Sequence, residues 1–159
     1  MKEKILKFIE ENKYMYLNFL TTFEDCFPYV CDYSSEILAG YLHAKYNFPP
    51  EICEGSLDGD DCLGHFWIEL DDIKIDFTLC QFATTKEKLT NSIKNESIYT
   101  LIEELVPFPI ITNDNIWYDR LEYLDYVSIN KEIINIANNS NDFITYLNNI
   151  KQYYDKLLI

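Results

Sequence analysis

Fourteen residues, HFWIELDDIKIDFT from His65 to Thr78, constrain the fold more than any other part of the chain. Strand side chains alternate between faces, so a hairpin can be tested by parity. With Asp71-Asp72 as the turn, one face carries Phe66, Ile68, Leu70, Ile73, Ile75 and Phe77, all apolar. The other carries His65, Trp67, Glu69, Lys74, Asp76 and Thr78. A slip of one residue would mix the faces, and Glu69 opposite Lys74 adds an opposite-charge pair, so the register is well specified. His65 and Asp76 then share a face as diagonal neighbours, roughly 7–8 Å apart at the backbone and within side-chain reach.

Upstream, Tyr33, Ile37, Leu38, Tyr41 and Leu42 recur at helical spacing, predicting a helix from just after Cys31 to about Tyr46. Pro28 makes the approach extended, and Asp32, Ser34, Ser35 and Glu36 offer capping and acidic residues for a first turn. Cys31 is thus expected at the helix N-terminus, where free N–H groups and the positive end of the dipole favour a thiolate and can donate to an oxyanion. In this reading Cys31 attacks an acyl carbon, His65 takes and returns the proton, and Asp76 fixes the imidazole tautomer.

A helix-borne cysteine, a strand with a Gly-Ser step (EICEGSL), a histidine opening the next strand and an aspartate starting IDFT resemble the transglutaminase-like branch of the papain-like cysteine proteases. The likeness is nearest to small bacterial proteins of that branch whose strand ends read D-x-T-x-x-Q-F, matched here by Asp76, Thr78, Gln81 and Phe82. It covers roughly residues 25–82. It implies an α+β, papain-like/transglutaminase-like fold with Cys31 as nucleophile, His65 as general base and acid, and Asp76 as the orienting acid. The glutamine that papain relatives place before the nucleophile is missing from TTFEDCFPYV. The second oxyanion donor is therefore open among Tyr29, Tyr33 and Gln81.

Two other readings use the same residues. Cys62 and His65 have the spacing of a metal-ligand pair, and Cys53 and Cys80 could complete a structural zinc site if their strands lie alongside. A catalytically inactive protein-binding or immunity-type module could keep the scaffold, its acids and tyrosines suiting a basic target. His43 falls about three turns from Cys31, roughly 18 Å along the helix, and is left out of the site.

The chain has 159 residues, 48% of them apolar and 16% aromatic, which excludes a disordered protein and fits one domain. Twenty-seven acids against thirteen bases give a formal charge of −14. That leaves few residues from which to build a phosphate-binding surface, so a peptide or protein substrate is expected and nucleic acid is not. The first twenty residues read as amphipathic helix through Ile5, Leu6, Ile9, Tyr16, Leu17 and Leu20, without a secretory signal or membrane span. Five cysteines without a disulfide framework point to the cytoplasm, with export lacking such a signal as the alternative. No cofactor is implied. One or two helices are expected between Thr84 and Pro107, then irregular chain with one strand, then helices around Asn130–Ala137 and Asn141–Leu157.

Overall fold

The hairpin forms in the predicted register over three pairs, and its second strand ends at Ile75, short of the pairing expected out to His65 and Thr78. Ile68 pairs with Ile75, Glu69 with Lys74 and Leu70 with Ile73 across an Asp71-Asp72 turn. Asp71 takes φ 55°, a left-handed conformation that aspartate tolerates better than most residues. A computed structural model describes residues 1–23, 30–47, 50–60, 63–82, 108–111 and 116–157, with backbone alone at 80, 116 and 117. The helices expected between Thr84 and Pro107 lie outside the described residues, as do Cys26, Pro28 and Tyr29.

The fold class is α+β; the described residues form four helices of two turns or more, a single helical turn at Ile116–Asp119 and a five-stranded antiparallel sheet. The helices are α1 (Lys2–Thr21), α2 (Cys31–Tyr46), α3 (Lys131–Asn138) and α4 (Phe143–Leu157). The strands are β1 (Glu51–Leu57), β2 (Gly64–Leu70), β3 (Ile73–Ile75), β4 (Ile110–Ile111) and β5 (Leu121–Val127), in spatial order β4-β3-β2-β1-β5. The region expected to hold one strand thus supplies two, β4 and β5. Their short or polar sequences are recruited by pairing with β3 and β1, which local alternation cannot reveal.

The apolar face of the hairpin meets the helices. Ile68, Leu70, Ile73, Ile75 and Phe77 belong to one cluster with Ile5, Ile9, Leu17 and Leu20 of α1, Ile37, Leu38 and Leu42 of α2, and Ile133, Tyr146 and Ile150 of α3 and α4. Each such side chain stabilises the fold by about 1.5–3 kcal/mol relative to exposure. Phe77 packs edge-on against Tyr16 of α1 at 4.8 Å between ring centroids. Tyr16 in turn donates its hydroxyl to the Ser34 carbonyl at 2.5 Å, tying α1 to the first turns of α2.

Helix α2 starts at Cys31 itself, preceded by Val30, and its N-terminus carries no side-chain cap. The capping expected of Asp32, Ser34, Ser35 and Glu36 is redirected by packing. Asp32 accepts the Tyr33 amide at 2.9 Å, Ser34 and Ser35 are buried, and Glu36 accepts the Asn130 amide at 3.1 Å, linking α2 to α3. No helix among the described residues is long and apolar enough to cross a membrane.

Candidate active site

His65 is the second residue of β2 and stands opposite Gly55 of β1. Its Nε2 lies 2.6 Å from Asp76 Oδ2, and the two residues are 0% and 4% exposed. The paired part of the ladder ends at Ile68 and Ile75, so Asp76 reaches the ring from just beyond β3. Three further contacts hold it. The Thr78 amide donates to Oδ1 at 2.9 Å, the Asp76 amide donates to the Pro109 carbonyl at 2.9 Å, and the Tyr118 hydroxyl donates to Oδ2 at 2.5 Å.

The imidazole sits between Trp67, stacked at 6.1 Å, and Phe82, edge-on at 5.1 Å. Burial pushes its pKa down, but the Asp76 charge and hydrogen bond, together with the nearby Cys31, outweigh that and raise it to about 9. At neutral pH the ring is therefore an imidazolium. Since Nε2 is engaged by Asp76, Nδ1 is the atom left for proton transfer, and it is buried without a hydrogen-bond partner among the described residues. Cys31, at the start of α2, lies close enough to the ring to help raise its pKa. Its thiol is free and partly exposed, so it is the accessible member of the group. Cys31, His65 and Asp76 are thus brought together from α2, β2 and the end of β3.

Of the three oxyanion candidates, Tyr33 turns toward Phe23 and Tyr154, with centroids at 5.5 and 4.8 Å, and Tyr29 lies outside the described residues. Gln81 reaches the start of β2, its amide nitrogen 3.5 Å from the Gly64 carbonyl oxygen. The zinc alternative draws on Cys62 and the Cys80 side chain, both outside the described residues. Among those described, no group of three or more metal-binding side chains gathers, and Cys53 is buried with its thiol pushed up to about 12.

Sequence reading did not place Tyr118 here. It arrives at Asp76 from 42 residues away on a single helical turn, Ile116–Asp119. No periodicity marks such a contact. The ring partner Trp67, by contrast, was visible in the parity that put it on the His65 face. No family model matches this chain, and neither a curated protein nor a solved structure matches it.

Proposed function

We propose that this protein is a cysteine acyl-transfer enzyme of the papain-like, transglutaminase-like kind, acting at amide bonds through Cys31, His65 and Asp76. One observation carries the reading: a buried His65–Asp76 hydrogen bond through Nε2 leaves Nδ1 for a cysteine at a helix start. A helix carrying the nucleophile, packed on an antiparallel sheet that carries the base, is also the arrangement the resemblance implies.

In the reaction the Cys31 thiolate attacks the amide carbon, forming a C–S bond while the carbonyl oxygen takes up negative charge. The C–N bond then breaks, and the leaving nitrogen takes the proton from His65 Nδ1. A thioester remains. Water or an amine attacks next, giving its proton to Nδ1, and Sγ departs. Asp76 keeps its charge throughout and holds the ring by Nε2, so no proton need pass to it. The unpaired amides of a helix start suit the oxyanion. Among the described residues, Tyr33 N–H is engaged by Asp32 and Ser34 N–H by the Val30 carbonyl, so the amides of Cys31 and Asp32 are the candidates for that task.

A second reading, a protein-binding module, is favoured by the exposed tyrosines of β5, Tyr123 and Tyr126, at 51% and 54% exposure. Iodoacetamide separates the two. The enzyme reading expects Cys31 to alkylate faster than a free thiol at neutral pH, and His65→Ala to slow it by about tenfold. Labelling of Cys31 at the pace of a free thiol such as glutathione, unchanged by His65→Ala, would remove the enzyme reading and leave the binding one.

A further inference from the structure

Asp76 Oδ2 receives two donors, His65 Nε2 at 2.6 Å and the Tyr118 hydroxyl at 2.5 Å. Thr78 N–H occupies the other oxygen. A carboxylate oxygen shared in this way has less charge to offer each donor, so a tyrosine on Oδ2 competes with the imidazolium for it. The tyrosine is itself held in place. Its ring meets Trp67 edge-on at 5.6 Å, and Lys74 Nζ lies 5.3 Å from its centroid.

We propose that Tyr118 is a positioning residue of this site: its hydroxyl fixes the Asp76 carboxylate against His65 and sets how strongly that carboxylate draws the His65 proton. The consequence is a pH window for the Cys31–His65 couple tuned from the far side of Asp76. This rests on reading Cys31 and His65 as nucleophile and base.

The neighbouring charges leave the assignment clean. Facing Tyr118 are Asp76, Glu69 of β2, Cys53 of β1 and Lys74 of β3, and facing His65 are Asp76 and Cys31. Glu69 and Lys74 face each other at 4.0 Å. Cys53 is kept neutral by burial up to about 12. Burial also lifts the Tyr118 hydroxyl well above its ordinary range, so it stays a donor while His65 titrates.

The chain has two histidines, so 15N-histidine labelling reports His65 directly once His43→Gln assigns the other signal. Removing the hydroxyl in Tyr118→Phe leaves Oδ2 to His65 alone and should raise the pH midpoint of His65 by about half to one unit, roughly threefold to tenfold in proton affinity. A 3-fluorotyrosine at position 118 keeps the shape and makes the hydroxyl a stronger donor, so it should lower the midpoint; it also serves if Tyr118→Phe does not fold. Opposite shifts are not what a merely space-filling ring produces. The alkaline limb of Cys31 alkylation should move with each midpoint. A His65 titration unmoved in the folded variants overturns the proposal while wild-type Cys31 reactivity still stands. Ordinary reactivity of wild-type Cys31 beside a shifted His65 would sink the enzyme reading and uphold the coupling of Tyr118 to His65.

Discussion

Burial alone would leave His65 neutral, because taking an ion out of water costs several kcal/mol. Asp76 reverses the outcome, and folding then becomes linked to pH. The folded pKa of about 9 lies above the ordinary 6.5, so the stabilisation is complete below about pH 6.5 and is lost as pH rises to about 9. Its size is up to about 3 kcal/mol. Urea unfolding between about pH 6 and pH 9 should therefore show stability falling with pH, and His65→Gln should flatten that interval. The buried Cys53 thiol, pushed up to about 12, also favours folding less as pH rises, but mainly above about pH 9. A decline that persists unchanged in His65→Gln would mean that the His65–Asp76 pair is not its source. At this scale the sequence was legible for His65 and Cys31, placed by the period of a strand and of a helix, and less so for Asp76, which lies just beyond β3. Tyr118 was not, because its contact is made entirely by tertiary folding.

Among the elements, β1 decides whether the site can close. Gly55 stands between His65 of β2 and Tyr123 of β5, and a Cβ there would come 2.7 Å from the Glu122 carbonyl oxygen and 2.8 Å from the Trp67 ring. The absence of a side chain lets Trp67 lie across β1 and stack on His65. That gives the Gly-Ser step of EICEGSL a steric meaning. Gly55→Ala should cost about 1–3 kcal/mol through overpacking and should disturb Cys31 alkylation as Trp67 is displaced. Gly64→Ala, whose nearest contact is 3.9 Å, is the control and should stay within about 0.5 kcal/mol. Equal losses in calorimetry would refute the steric account. The period of the hairpin and the 3.6-residue period of α1, α2, α3 and α4 made these elements readable. Neither β4, two residues long, nor the mostly exposed β5 has a hydrophobic face that alternation could expose.

Across the whole molecule the formal charge of −14 sets a background of self-repulsion. Surface pairs such as Lys2–Asp72 and Arg120–Asp58 offset little of it, since exposed ion pairs contribute about 0–1 kcal/mol each. Raising sodium chloride from about 0.02 M to about 0.3 M shortens the screening length from roughly 20 Å to below 8 Å and should raise Tm by a few degrees. A fall in Tm would show instead that the ion pairs dominate. Tyr123, Leu124 and Tyr126 stand exposed on β5, the outer strand among the described residues.

By itself the sequence determined the turn end of the hairpin and its register, the start of α2 beside Cys31 and the two C-terminal helices. All of these follow from periods of two or 3.6 residues and from turn chemistry acting over a few neighbours. Tertiary structure alone decided that α2 presents Cys31 to His65, that Asp76 turns off the ladder to offer Oδ2 to Nε2, and that Tyr118 takes the same oxygen. Those contacts join residues far apart in the chain, and their geometry is set by how helices and sheet pack around one core, which no local pattern encodes.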